Sequence, residues 1–284
     1  MTEKEKAGFQ GMHGAFSDIA GRRYFDGNVL TVPYESFERM MEAVSRSNCT
    51  YAILPIENTV AGSIYQNYDL LGESGLAVVG EVSLRIKHNL LVTNQPPLDQ
   101  QERIAILKKV GSHFKALEQC IRFFRDNPHI QQSVEFDTAG YAEVVAKQGT
   151  IYDGAIASKT AARLYRLHVL RENIEDNPNN ITRFLVVGRE KQLFGQKASI
   201  RFTLKHEPGS LSRAIAAFAR EGLNLTKIES RPLIGSPFEY LFYLDFETGN
   251  DMTRTGVAIE SLGMVADSLD ILGYYDKGGI SQED

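Results

Sequence analysis

Pro178-Asn179-Asn180-Ile181-Thr182-Arg183-Phe184-Leu185-Val186-Val187 carries an Asn-rich loop into an apolar run, and the reading of that junction decides the fold. Proline and paired asparagines favour a turn, and the run after them predicts a strand over Thr182–Val187. In an extended strand Thr182 and Phe184 face one way and Arg183 the other. Upstream, short apolar runs alternate with amphipathic segments, the rhythm of βα units and a largely parallel sheet. Strands are predicted at 7–10, 29–32, 50–55, 77–84, 134–136 and 154–157, and helices at 16–24, 35–45, 63–71, 115–124, 139–147 and 159–165. The rhythm breaks near Lys87 and His88 and restarts after a loop at 94–101. That interruption predicts a hinge between two α/β lobes, roughly 7–84 and 87–176, with the Thr182 strand returning across it and a cleft between the lobes.

Residues 190–197 read as a linker. Beyond them the pattern is strand 198–204, helix 211–221, strands 225–232 and 240–246, helix 253–264 and strand 268–274. This is βαββαβ, a ferredoxin-like layout whose half-covered sheet predicts self-association. The expected division is therefore a first domain at 5–189, with 180–188 counted in its first lobe, a linker at 190–197, a second domain at 198–276 and a tail at 277–284.

The chain has 284 residues, 43% of them apolar, enough for a core in each domain. Its net charge of −5 and lack of a dense basic patch argue against nucleic acid. No apolar run approaches the roughly 20 residues of a membrane helix. Cys49 and Cys120 are too few for a disulfide framework or a metal cluster, and the six histidines have no ligand spacing, so no metal and no cofactor are expected. The charged start Met1–Lys6 has no secretory character, which makes the cytoplasm the expected compartment.

Four junctions of strand and helix carry short polar donors, a pattern suited to a small anion. Gly11-Met12-His13-Gly14-Ala15-Phe16-Ser17 lacks the dinucleotide spacing and reads as a tight βα turn with Ser17 as a hydroxyl. Pro55-Ile56-Glu57-Asn58-Thr59-Val60-Ala61-Gly62-Ser63 places Asn58, Thr59 and Ser63 where a helix start is predicted. Gly111 to Cys120 supplies Ser112, and Thr138-Ala139 opens another helix. Each hydroxyl serves equally well as a cap.

Asn180-Ile181-Thr182-Arg183-Phe184 resembles the Thr-Arg-Phe signature of prephenate dehydratases. Glu229-Ser230-Arg231-Pro232 and His206-Glu207-Pro208-Gly209-Ser210-Leu211 resemble the ACT regulatory domain that follows in those enzymes. The runs at 11–17, 55–63, 111–120 and 138–139 are similar to further segments of that family. Thr59 stands where serine is usual, Phe114-Lys115 where Pro-Gln is usual, and Ser210 where alanine is usual. The resemblance implies a two-lobe, periplasmic-binding-protein-like α/β domain with a ferredoxin-like ACT domain.

It further implies loss of carbon dioxide and water from prephenate to give phenylpyruvate in phenylalanine synthesis. Thr182 would be catalytic, with Ser17, Glu57, Asn58, Thr59, Gly62, Ser112, Thr138, Asn180, Arg183 and Phe184 at the substrate. Arg183 has two open readings, a carboxylate ligand or an internal ion pair. Phenylalanine would bind as feedback effector at Gly209, Ser210, Leu211, Asn224, Glu229, Ser230, Arg231 and Pro232 of a homodimer or homotetramer. Two alternatives stay open: arogenate dehydratase, and a non-catalytic two-lobe protein that binds or senses anions.

Overall fold

In a computed structural model the chain is described for residues 4–94, 99–233, 235 and 238–283. Part of the expected loop at 94–101, the first three residues of the charged start and the last residue of the expected tail lie outside the described residues. The elements begin with β1 (Lys6–Gln10), α1 (Phe16–Tyr24), β2 (Leu30–Tyr34), α2 (Phe37–Ser45), β3 (Tyr51–Asn58), β4 (Gly62–Ser63), α3 (Tyr65–Glu73) and β5 (Ala77–Arg85). Next come β6 (Asn89–Val92), α4 (Gln100–Ile106), β7 (Lys109–His113), α5 (Phe114–Glu118), α6 (Ile121–Asp126), β8 (Gln131–Glu135), α7 (Thr138–Gln148), β9 (Asp153–Ala157), α8 (Lys159–Tyr165) and β10 (His168–Arg171). The remainder is β11 (Ile181–Gly188), β12 (Lys197–Leu204), α9 (Ser210–Arg220), β13 (Leu225–Pro232), β14 (Tyr240–Glu247), α10 (Met252–Gly263), β15 (Ala266–Tyr275) and β16 (Ile280–Gln282).

Three sheets organise these strands. The first runs β16-β5-β11-β3-β1-β2 with β4 hairpinned on β3, and the second runs β10-β6-β9-β7-β8. The run at 181–188 thus sits in the middle of the first sheet, between β5 and β3. An apolar strand suits that place because both its faces are covered: Phe184, Leu185, Val186 and Val187 are all buried. By compactness the chain forms two units, Met1–Asn67 with Val82–Phe184 and Gly279–Asp284, and Tyr68–Glu81 with Leu185–Gly278.

Several expected elements need correction. The expected loop at 94–101 is followed by a helix not expected from sequence, α4, which takes in its last two residues and which Asp99 starts with a capping box: its carboxylate accepts from Glu102 N, and Glu102 accepts in return from Asp99 N. The helix expected at 115–124 is two short helices, α5 and α6. The chain breaks at Gln119-Cys120 because the Asp176 carboxylate draws the Ile121 and Arg122 amides to 2.9 and 3.0 Å, founding a new helix start. The second sheet is mixed, with β6 antiparallel to both β9 and β10. Within the expected tail, β16 pairs parallel with β5.

In the first unit the two sheets meet through the turn at 11–14. Met12 N donates to the Asp137 carboxylate at 3.0 Å, Ser158 Oγ to the Gly14 carbonyl at 2.6 Å and Tyr165 OH to the His13 carbonyl at 2.9 Å. Gly14 has φ +89°, and a Cβ there would lie 2.9 Å from Ala161 Cα. Only glycine satisfies both the backbone angle and the approach of α8.

In the second unit the sheet order is β13-β14-β12-β15, antiparallel throughout, with β13 at an edge. Helices α9 and α10 pack on one face over Ile200, Phe202, Leu244 and Phe246. The other face is polar. There Lys197 pairs with Glu81 at 2.9 Å, and Ser199 bonds both Asp245 and the Tyr275 hydroxyl, all of them buried. Unpaired, any of these groups would be costly to bury.

Gly14→Ala is expected to destabilise the protein by about 1–3 kcal/mol through the left-handed backbone and the α8 contact. A urea denaturation midpoint equal to the parent's would show that the turn has room for the methyl group.

Candidate active site

The site assembles where β3 ends and β11 begins. The turn after Glu57 is a hairpin, with Glu57 opposite Ser63 and Asn58 opposite Gly62, and not the helix start expected from sequence. Gly62, at φ +81°, supplies its left-handed residue. Asn58 Oδ1 accepts from the Val60 and Ala61 amides at 2.9 and 2.7 Å, so its NH₂ must point the other way. One amide hydrogen goes to Asn180 Oδ1 at 2.7 Å and the other to Thr182 Oγ1 at 2.9 Å. Asn180 Nδ2 in turn donates to Gln119 Oε1 at 2.8 Å, and His88 Nε2 lies 2.8 Å from the same oxygen.

The direction of every bond in this chain follows from the two backbone amides at its start. Gln119 Oε1 is an acceptor, so His88 must carry its proton on Nε2. The Thr182 hydroxyl accepts from Asn58 and keeps its own hydrogen for another acceptor. The amide bond polarises the hydroxyl and makes it a better donor.

The remaining predicted residues divide clearly. Asn180, Thr182 and Phe184 are buried, and Arg183, on the opposite face of β11, holds Glu57 at 3.2 Å. Thr59 stitches the hairpin to β11: its hydroxyl donates to the Asn179 carbonyl at 2.6 Å and accepts from Ile181 N at 2.9 Å. Its one hydroxyl hydrogen is thus engaged within the protein. So is that of Ser112, whose fully buried hydroxyl donates to the Ile156 carbonyl at 2.6 Å. Thr138 is the first residue of α7 but does not cap it. That work falls to Asp137, which accepts from Gly140 N at 2.9 Å, and whose pKa is raised by burial against the lowering of its backbone hydrogen bonds. Ser17 is half-buried in the first turn of α1.

Gln119, His88 and Asp137 were not picked out from sequence. Gln119 lies within the 111–120 run, but a continuous helix at 115–124 gives no reason to turn it inward. The break before α6 does so.

The expected effector residues do not converge within one chain. The Gly209 turn follows β12, whose Thr203 pairs with Leu241, and Pro232 pairs with Tyr240, so both lie at one end of the sheet. Asn224 precedes Leu225, which pairs with Phe246 at the other end, roughly 25 Å away along an eight-residue strand. Gly209, at φ +81°, starts α9 without a side-chain cap. Ser210 is buried and bonded by Arg213 at 3.1 Å, and Leu211 is partly exposed. Ser230 and Pro232 are on the exposed side of β13, whereas Glu229 pairs with Lys227 and Arg231 grips Asp69 at 2.6 Å.

The prephenate dehydratase family model matches residues 7–192. The chain belongs to the prephenate dehydratase family. Among curated relatives it is 41% identical to an Arabidopsis thaliana protein described as arogenate dehydratase/prephenate dehydratase 1, chloroplastic, over 96% of this chain and 72% of that one. A bifunctional chorismate mutase/prephenate dehydratase of Aquifex aeolicus is 32% identical over 98% of this chain and 75% of its own length. Among solved structures, prephenate dehydratase of Arthrobacter aurescens in complex with L-Phe superposes with TM-score 0.84 at 26% identity, covering 96% of this chain and 90% of that one. GqqA, described as a novel type of quorum quenching acylase, superposes with TM-score 0.83 at 33% identity, over 95% and 97% of the two chains.

Burial lowers the pKa of His88 from 6.5 to about 4, the bond to Gln119 opposing that shift. The unfolded chain therefore takes up the proton first as pH falls, and the native state loses stability between pH 6.5 and about 4. The expected loss from this group is roughly 3 kcal/mol across that window and nil above it. Urea titrations of the parent and of His88→Gln at several pH values would test it; equal pH slopes for the two would refute the assignment.

Proposed function

We propose that this chain converts prephenate to phenylpyruvate, with loss of carbon dioxide and water, in phenylalanine biosynthesis. The observation that carries the reading is the Thr182 hydroxyl, which accepts from Asn58 at 2.9 Å and retains its hydrogen for a departing oxygen. As the ring carboxylate leaves as carbon dioxide, its bonding electrons enter the ring and expel the ring hydroxyl, which takes a proton and departs as water. The ring becomes aromatic, so the step is redox-neutral. An unassisted alcohol is too weak an acid to ionise at neutral pH, and Thr182 acts as a polariser or proton relay. The donors of a closed, water-poor cleft would stabilise the transition-state charge. Thr182's partner is an amide NH₂, which cannot remove its proton, so the hydroxyl is set up as a donor and not as a nucleophile.

The βαββαβ module is proposed to be an ACT regulatory domain that binds phenylalanine. The Gly209 turn and the Ser230-Pro232 side of β13 offer backbone donors and an open edge for an amino acid. Two β13 edges paired antiparallel in a dimer would bring the Asn224 end of one copy to the Gly209 turn of the other. The proposed compartment is the cytoplasm. Arogenate, which carries an amine where prephenate has a ketone, is the second reading, favoured by the name of the Arabidopsis relative.

Purified protein is expected to release phenylpyruvate from prephenate without added cofactor, and Thr182→Ala to slow turnover by at least about 100-fold with little change in folding. A variant retaining more than half of the parent rate would remove Thr182 from the mechanism; conversion of arogenate alone would favour the second reading. Phenylalanine should bind in calorimetry and weaken substrate binding about 5- to 150-fold, an ordinary coupling of 1–3 kcal/mol. Absence of heat, or heat without any effect on rate, would end the regulatory proposal.

A further inference from the structure

His88 is buried where the chain passes from β5 to β6, outside the motifs that mark the site. Its position is held from several sides. The backbone N–H donates to Glu175 Oε2 at 2.9 Å, the carbonyl accepts from Ile174 N at 2.8 Å, and the ring packs edge-on to Phe16 with centroids 5.6 Å apart. Among the described residues its Nδ1 has no hydrogen-bond partner, and the ring's one polar contact there is Nε2 to Gln119 Oε1 at 2.8 Å. A buried imidazole placed so firmly for a single bond requires a reason beyond packing, since an apolar ring would fill the same space without leaving Nδ1 unsatisfied.

Gln119 is the member of the Thr182 chain contributed by the second sheet's elements, and it follows a helix of only five residues. Its carbonyl oxygen holds Asn180, Asn180 holds Asn58, and Asn58 holds Thr182. Asn58 is oriented by its own turn, but Asn180 depends on Gln119 to fix the far end of its amide. Gln119 has three rotatable side-chain bonds and would be free to swing without a second donor on its oxygen. We propose that His88, as the neutral Nε2–H tautomer, is a positioning residue for turnover: it pins Gln119 so that Asn180 and Asn58 hold the Thr182 hydroxyl in register with the leaving group.

The inference rests on the proposed dehydratase activity and deepens it. His88→Leu removes the donor, and His88→Gln carries an amide nitrogen to about the place of Nε2. The Leu variant is expected to lose about 10- to 100-fold in kcat, the scale of a misplaced reacting group, with KM changed far less. The Gln variant should recover most of that loss. In ¹⁵N-histidine NMR of the parent, His88 should be the Nε2–H tautomer at neutral pH, a readout independent of turnover. Parent-like kcat in His88→Leu would overturn the proposal, as would equal kcat losses in the Leu and Gln variants or an Nδ1–H tautomer. If the Leu variant does not fold, the Gln variant and the tautomer still decide. Failure of the parent to act on prephenate or arogenate would instead count against the proposed function.

Discussion

Asn58 can donate only two amide hydrogens, and both are engaged inward, one by Asn180 and one by Thr182. Its oxygen is held by two backbone amides of its own turn, so reversing the side chain would set its NH₂ against those amides and its oxygen against Asn180 Oδ1. The rest of the site inherits this polarity. Asn180 must present its NH₂ to Gln119, Gln119 its oxygen to His88, and Thr182 keeps its hydrogen for another acceptor. The bond to the Thr182 hydroxyl thus obtains its direction from two peptide groups two and three residues beyond the end of β3. The chain of side chains transmits that direction across residues separated by more than a hundred positions.

The same economy governs the contact between the two sheets of the first unit. Asp137 caps α7 and reaches Met12 N, and Ser158 caps α8 while donating to the Gly14 carbonyl. Side chains that any helix start would need are therefore also the contacts that hold the turn at 11–14. Gly14 is required because α8 comes too close for a Cβ. The second unit uses a different device. Its polar face is filled by paired charges and hydroxyls, Lys197 with Glu81 and Ser199 with Asp245 and Tyr275, where its other face is apolar and covered by helices. Such pairs stabilise little by themselves, yet breaking one leaves a buried charge alone.

Arg183 and Arg231 show how a motif residue can also serve the protein's own frame. Both stand in runs that resemble ligand-binding signatures, and in this molecule each guanidinium holds a carboxylate of the protein, Glu57 and Asp69 respectively. Arg183 shares β11 with Thr182 but faces away from it, as strand alternation requires. Arg183 thus ties β11 to the end of β3, and Arg231 ties β13 to α3.

Local periodicity made most elements legible: α1 and α8 match their predicted spans, and the βαββαβ order of the second unit was readable because each strand and helix there runs for at least eight residues. Alternation along 182–184 likewise separates Thr182 from Arg183. What escaped was set by partners distant in sequence. The break between α5 and α6 depends on Asp176, 55 and 54 residues on from the amides it holds, and no pattern within 115–124 announces it. Thr59 and Ser112 looked like free donors because their acceptors, Asn179 and Ile156, lie 120 and 44 residues away. The sequence by itself determined which segments could be strands and helices and which residue types reach the junctions, since those follow from side-chain periodicity and backbone preference. Only the tertiary structure decided which donors remain free and which way the Thr182 hydroxyl points, because a hydrogen bond is assigned by three-dimensional proximity and each donor hydrogen is used once.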